Sequence, residues 1–146
     1  MEKIGKVWFS DTRIFMQTVS GNTYSRPLEA FPLLKDASDS DRKKYIIWNS
    51  GTALRWKKLD EDIHISSFFE EEEPVKNEIG DFFSTHPQIN VSSFAKQIGI
   101  NKSLMAKYIY GIKTPSEKRK KEIQNGLHQL ARNLNRVRFV SEAVSV

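Results

Sequence analysis

Cysteine is absent from this 146-residue chain, and no apolar run approaches the roughly 20 residues that a membrane-spanning helix needs. The absence of cysteine excludes disulfide bonds, thiolate zinc sites and a cysteine nucleophile. The first residues, MEKIGKVWFS, also lack the apolar segment of a secretion signal. We therefore expect a soluble, cytoplasmic protein that makes no membrane contact.

Several motifs of enzyme active sites are missing as well. The chain has no glycine-rich phosphate loop, no activated serine motif and no HExxH zinc motif. Its best cluster of metal-ligand residue types is formed by Asp60, Glu61, Asp62 and His64. On a strand, Asp60, Asp62 and His64 would share one face, but three ligands on one edge without a turn rarely bind a metal. We interpret this cluster as a solvated strand end or as a cap for a neighbouring element, and we expect no catalytic residue, no metal and no cofactor.

Positive charge is concentrated in the C-terminal half of the chain. Residues 75–146 hold 12 lysines and arginines against 5 acidic residues, a net charge of +7, whereas residues 1–74 hold 11 against 13, a net charge of −2. A positive field attracts phosphate backbones and supplies much of the affinity of DNA-binding domains. The acidic run that ends the first half predicts a linker at residues 71–74, between a domain at 1–70 and a domain at 75–146.

The N-terminal half has the pattern of an antiparallel sheet with short helices. Apolar segments separated by polar turns predict two linked hairpins and then a further one. Their strands would lie at residues 7–9, 14–16, 23–25, 45–49 and 53–56. Between them, the spacing of apolar residues in 28–34 predicts a short helix, and residues 38–41 predict the cap of another. We therefore predict an α+β fold, and we interpret Arg26 and Glu29 as a surface ion pair.

Three stretches of this half carry a family resemblance. They are SRPLEAFP at residues 25–32, Trp56, and LDEDI at residues 59–63. Together they resemble the small bacterial domain-of-unknown-function family numbered 2442 (DUF2442), over about residues 3–69. The resemblance implies a fold, a bacterial origin and an architecture in which this domain is fused to a helix-turn-helix. It implies no reaction.

Residues 91–115, VSSFAKQIGINKSLMAKYIYGIKTP, have the pattern of two short helices joined by a glycine turn. Gly99 ends the first helix in the left-handed conformation that glycine adopts at little cost. Asn101 can cap the second helix with its side chain. Apolar residues at helical spacing predict the buried faces: Val91, Phe94, Ala95 and Ile98 in the first helix, and Met105, Tyr108, Ile109 and Ile112 in the second. This is the pattern of a helix-turn-helix.

The segment resembles the lambda-repressor-like (Cro, XRE) family of DNA-binding domains. The family pattern is matched at Ala95, Gly99, Met105, Tyr108, Gly111 and Pro115. The resemblance implies an all-α domain with one helix before the motif and one or two behind it. A helix from Pro74 to near His86, with Val75 on its apolar face, fits the first of these, and a helix that begins with a capping box of Thr114 and Glu117 fits the second. The apolar stripe of that last helix is interpreted as core and consists of Ile123, Leu127, Leu130, Ala131 and Leu134.

The outward face of the second motif helix predicts how the protein reads DNA, because short polar and basic side chains can reach base edges in the major groove. We predict that the base-facing residues are Lys102, Ser103, Ala106, Lys107 and Tyr110. A second set is predicted to hold phosphates, and its first two members use backbone amides at a helix N-terminus as well as hydroxyls. This set is Ser92, Ser93, Lys113, Thr114 and Lys118.

We therefore interpret the chain as a sequence-specific bacterial DNA-binding protein, a transcription regulator and not an enzyme. One such domain buries little surface, so we expect a homodimer on double-stranded DNA. The N-terminal domain, with Trp48, Phe68 and Phe69, is expected to supply the dimer contact or to bind a protein partner. The alternative is a protein-interaction module, for instance an antitoxin-like partner in which DNA binding is secondary or absent.

Overall fold

Two three-stranded antiparallel sheets come first in the chain, and four helices follow them. The computed structural model describes residues 1–141, so the last five positions of the predicted domain at 75–146 lie outside the described residues. The α+β class predicted from the sequence is confirmed. Within residues 1–141, no helix combines the length and the apolar character that crossing a membrane requires.

The first sheet is a meander of three strands: β1 (Ile4–Phe9), β2 (Arg13–Thr18) and β3 (Thr23–Pro27). Ser10 forms the first turn because its Oγ accepts hydrogen bonds from the amides of Thr12 and Arg13. In β2, every second residue is buried, as expected for a strand with one face on a core. The two linked hairpins predicted from the sequence are confirmed.

Short helices lead to the second sheet. A 3₁₀ turn at Leu28–Ala30 is followed by α1 (Pro32–Lys35) and α2 (Asp39–Arg42), and the Oγ of Ser38 caps α2 by accepting the amide of Asp41 at 3.1 Å. The second sheet contains β4 (Ile46–Trp48), β5 (Ala53–Trp56) and β6 (Glu61–His64), and a 3₁₀ helix at Ile65–Phe69 ends this part. We call residues 4–69 the N-terminal part. Its core contains Ile14, Met16, Leu34, Leu54, Trp56 and Phe68.

Residues 78–135, which we call the helical part, form four α-helices. These are α3 (Glu78–Thr85), α4 (Val91–Gln97), α5 (Lys102–Tyr110) and α6 (Glu117–Asn135). A second core lies among them and contains Phe83, Phe94, Ala95, Ile100, Met105, Tyr108 and Ile123. The turn between α4 and α5 has Gly99 at φ +76°, the left-handed conformation predicted for it.

Two helix starts differ from the sequence prediction. Helix α3 begins at Glu78 and not at Pro74, because the Oδ1 of Asn77 accepts the amide of Gly80 at 3.0 Å; Val75 lies outside the helix and is 63% exposed. Helix α6 is capped by Ser116 and not by Thr114, since the Oγ of Ser116 accepts the amide of Arg119 at 3.1 Å. In both cases the side chain that can reach an unpaired amide two or three residues on sets the boundary.

The apolar stripe of α6 is only partly core. Ile123 is buried and Leu127 packs beside it, but Ala131 is exposed and Leu134 is 62% exposed. Residues 131–135 are all exposed, so the interpretation of the whole stripe as core is wrong for its last two residues.

Candidate nucleic-acid interface

The start of α5 is held firmly and is open to solvent. Ile100 is buried and its amide donates to the carbonyl of Ala95 at 2.9 Å, which fixes the turn after α4. Asn101 then caps α5, because its Oδ1 accepts the amides of Ser103 at 2.8 Å and Leu104 at 3.3 Å. Lys102 is therefore an exposed cation on a capped helix start, and Ser103 and Ala106 behind it are partly buried.

The C-terminal half of α5 has a different environment. Lys107 and Tyr110 were predicted to project outward with the other base-facing residues, but both are partly buried between the helical part and the N-terminal part. Tyr110 packs against the N-terminal core, and the ammonium of Lys35 lies 5.4 Å from the centre of its ring. Ile112, predicted for the core of the helical part, is instead buried in the core of the N-terminal part. The expectation of an outward orientation is thus wrong for Lys107 and Tyr110.

Burial at this junction shifts the pKa values of its ionisable groups. The pKa of Lys107 is lowered, chiefly because burial disfavours the charged ammonium and also by the charges of Lys113 and Arg26, while Glu61 and Glu70 act in the opposite direction. Burial likewise raises the pKa of the Glu61 carboxyl. It also raises the pKa of the Tyr110 phenol, with smaller contributions from Asp36 and Glu29. Each of these three pKa shifts has the direction expected for a side chain that is partly buried away from water.

Residues 70–77, which we call the connecting segment, are fastened to the N-terminal part by two arginines. Arg26 is 1% exposed, and its Nη1 donates to the backbone carbonyls of Glu70 at 3.0 Å and Glu72 at 2.7 Å. Arg13 forms an ion pair with Glu73 at 2.6 Å nearer the surface. The interpretation of Arg26 as a surface partner of Glu29 is therefore wrong, since Glu29 pairs with Lys35.

The same segment is fastened to α5 at its other end. The Nδ2 of Asn77 donates to the carbonyl of Val75 at 3.0 Å and to that of Tyr108 at 3.2 Å. Gly111 ends α5 at φ +77°, and a Cβ at this position would lie 1.8 Å from the carbonyl oxygen of Val75. Backbone therefore packs directly on backbone here, so the connecting segment links α5 to the N-terminal part and is not a free linker.

The predicted phosphate-contacting residues lie at three helix ends or turns. Ser93 is exposed at the start of α4, but its amide already donates to the Oδ1 of Asn90 at 2.9 Å, so its hydroxyl is the available donor. Sequence reasoning missed this cap, although an asparagine directly before the first residue of a helix is its usual signal. Lys113, Thr114 and Lys118 are exposed, and no ion pair among residues 1–141 involves either lysine.

The acidic residues around β6 form ordinary surface contacts. Arg55 pairs with both Asp60 and Asp62, at 3.0 and 2.8 Å. The Nδ1 of His64 accepts the amide of Ser66 at 3.1 Å and so caps the 3₁₀ helix that follows. Among residues 1–141, no group of three or more His, Cys, Asp and Glu side chains is placed to hold a metal ion.

Exposed apolar side chains in the edge strand β4 and a groove beside α6 are candidates for contacts away from α5. All three residues of the edge strand β4 are exposed, and Trp48 keeps 49% of its surface in solvent. A groove runs between α3 and α6, and its apolar lining residues are Ile79, Phe82, Ile89, Leu127, Leu130 and Leu134, beside charged residues such as Glu78 and Lys120. Of the two phenylalanines predicted for contacts, Phe68 is buried and Phe69 is exposed.

Comparison with known proteins finds a family match that covers the N-terminal part and most of the connecting segment. Residues 4–74 match the model of a family described as protein of unknown function (DUF2442), which confirms that predicted resemblance. No curated protein sequence matches the chain. A crystal structure of a protein of unknown function from Rhodospirillum rubrum is similar at 22% identity and a TM-score of 0.41, over 49% of this chain and 94% of that chain. That likeness is too weak to bear on function, and the family match ends before α3.

Proposed function

We propose that the chain is a sequence-specific DNA-binding protein and a bacterial transcription regulator, in which α4 and α5 form a lambda-repressor-like helix-turn-helix. The observation that carries the proposal is the start of α5, where a capped helix end presents Lys102 to solvent. Helices of this motif contact base edges chiefly with their N-terminal residues. The family resemblance of residues 91–115 and the net charge of +7 on residues 75–146 support the same function.

The burial of Lys107 and Tyr110 narrows the proposed reading surface. In this arrangement Lys102, Ser103 and Ala106 face the bases, and the N-terminal part covers the following turn of α5. Phosphates on either side contact the hydroxyls of Ser92 and Ser93 and, beyond α5, Lys113, Thr114 and Lys118. Tyr110 would reach DNA only after the N-terminal part had moved away from α5.

Charge reversal at exposed lysines tests the proposed interface. We expect Lys102→Glu and Lys118→Glu each to weaken binding to duplex DNA by about 1–3 kcal/mol or more, because an attraction to phosphate or base becomes a repulsion. Fluorescence anisotropy at low salt measures the change. Lys57→Glu is the matched control, since Lys57 is an exposed lysine in the N-terminal part and the substitution changes the net charge equally.

The control also defines the result that would contradict the proposal. If Lys57→Glu weakened binding as much as the other two substitutions, only the total charge of the protein would matter. If all three variants and the unaltered protein failed to bind at low salt, the DNA-binding proposal would be abandoned.

We further propose a homodimer, because one helix-turn-helix covers too little DNA for useful affinity. The edge strand β4 suits an isologous contact, since it is unpaired on one side in residues 1–141 and exposes Ile46, Ile47 and Trp48.

We expect a dimer in sedimentation equilibrium at tens of micromolar protein. Trp48→Lys should give a monomer, whereas Phe139→Lys, at an exposed position outside both sheets, should not. If the unaltered protein sediments as a monomer both with and without DNA, the dimer proposal is wrong.

A second function, a protein-interaction module such as an antitoxin-like partner, is favoured by the groove between α3 and α6. Isolated exposed apolar residues are common, but a contiguous apolar groove marks a contact surface. The two functions differ in what the start of α5 does. In the second, Lys102 is merely solvated, and its charge reversal leaves every binding reaction of the protein unchanged.

A further inference from the structure

We propose that a small phosphate-type anion binds in the crevice between the N-terminal part and the end of α5. The crevice has a volume of about 100 Å³. Three cationic side chains line it together with the hydroxyl-bearing Ser67, and they come from both parts of the chain: Arg26 from β3, Lys107 from α5 and Lys113 from the turn behind it. The inference does not depend on DNA binding.

Arg26 is the strongest indication of an anion. Its guanidinium is almost wholly buried, and Nη1 is satisfied by two backbone carbonyls. Nη2 forms a long ion pair with the Glu72 carboxylate at 3.8 Å, beyond hydrogen-bond distance, and the buried Nε donates to no acceptor in residues 1–141. A buried charged donor without an acceptor is costly, and an anionic oxygen is the acceptor that satisfies a guanidinium best.

The two lysines strengthen this reading. Neither Lys107 nor Lys113 belongs to an ion pair among the described residues, and Lys113 is exposed at the mouth of the crevice. The charges of Lys113 and Arg26 both lower the pKa of Lys107, against the opposing effect of Glu61 and Glu70, so Lys107 lies close enough to the other two cations to be repelled by them. An anion between them would relieve that repulsion while its several oxygens accept hydrogen bonds from different side chains.

Two carboxylates also line the crevice and decide which ligand suits it. Glu70 and Glu72 are both exposed, and the side chain of Glu72 keeps 56% of its surface in solvent. The remaining walls are Ala30, Phe31 and Ile112, which are apolar and buried. Three cations against two carboxylates leave a net charge of +1 among the lining residues, which favours a compact anion with tetrahedral oxygens over a metal cation.

Binding of such an anion should stabilise the folded protein, because its contacts join the two parts of the chain. We expect inorganic phosphate to raise the unfolding temperature of the intact protein above its value in chloride at equal ionic strength. Isothermal titration should give a dissociation constant that Lys107→Met and Lys113→Ala each weaken by about tenfold, the loss of one charge-assisted hydrogen bond. Lys96→Ala is the control, since Lys96 is an exposed lysine on α4 outside the crevice.

Lys113→Ala keeps the test decisive even if Lys107→Met fails to fold, because Lys113 is exposed. Dimethyl phosphate identifies the source of the ligand. If it binds as well as inorganic phosphate, the crevice accepts a diester such as a DNA backbone unit, and if it binds much more weakly, the ligand is a free phosphate or monoester. Equal stabilisation by phosphate and chloride, or equal phosphate binding by Lys113→Ala and the unaltered protein, would overturn the proposal.

Discussion

Gly111→Ala should destabilise the protein by about 3–5 kcal/mol, one of the two largest effects that we expect of a single substitution. Two costs combine at this position. Gly111 has φ +77°, where a side chain costs about 1–2 kcal/mol, and the new Cβ would lie 1.8 Å from the carbonyl oxygen of Val75. Because the obstructing atom belongs to the backbone, the connecting segment must move away from α5.

Gly99→Ala separates the two costs. Gly99 has nearly the same conformation, φ +76°, but nothing lies within 4 Å of the position of its Cβ. We therefore expect a loss of about 1–2 kcal/mol from backbone strain alone. Urea denaturation of both variants measures the difference, which reports the contact between the connecting segment and α5. Equal losses for the two glycines would mean that the segment does not pack on α5 in solution.

Arg26→Ala is expected to cost about 2–4 kcal/mol of the free energy of unfolding. The substitution removes two charge-assisted hydrogen bonds to the connecting segment and leaves a cavity where a buried side chain had been. For a chain of this size, the loss corresponds to a fall in the unfolding temperature of roughly 5–15 °C.

Arg13→Ala is the matched control for Arg26. Arg13 holds the same segment through Glu73, but its side chain is 30% exposed and that of Glu73 is 52% exposed, so its loss should cost no more than about 1 kcal/mol. Thermal unfolding followed by circular dichroism compares the two variants. A fall for Arg13→Ala as large as that for Arg26→Ala would show that burial is not what makes Arg26 important.

The first sheet, the hairpin of β4 and β5 and most of the helices could be predicted from the sequence because each is marked by local features, whereas β6 was not predicted as a strand. Polar turns such as residues 10–12 separate apolar segments, and Gly99 with Asn101 marks the end of one helix and the start of the next. The starts of α3 and α6 were misplaced because proline and threonine were compatible with a helix start there. Asn77 and Ser116 lie where a side-chain oxygen actually reaches an unpaired amide.

Contacts between residues far apart in the chain could not be predicted. Helical periodicity assigns one buried face to α5, which is correct for Met105 and Tyr108. It gives no sign that the N-terminal part covers a second face at Lys107 and Tyr110. Arg26 was likewise paired with its neighbour Glu29, whereas its acceptors are backbone carbonyls 44 and 46 residues further on.

Whether the two parts are independent domains therefore stays a prediction, and so does the absence of enzymatic activity. Ile112 belongs to the helical part in sequence but is buried in the N-terminal core. The connecting segment is bonded on both sides. Because the N-terminal part covers Lys107 and Tyr110, the proposed base contacts fall on Lys102, Ser103 and Ala106. The proposed function therefore depends mainly on the start of α5.

The proposed DNA interface is tested most directly by amide chemical-shift changes, recorded by NMR on the intact 16.9 kDa chain during titration with duplex DNA at low salt. We expect changes at residues 92–93, at the start of α5 from Lys102 to Ala106, and at residues 113–118, with little change in β4–β6. Changes confined to the N-terminal part, or none at any DNA concentration, would contradict it.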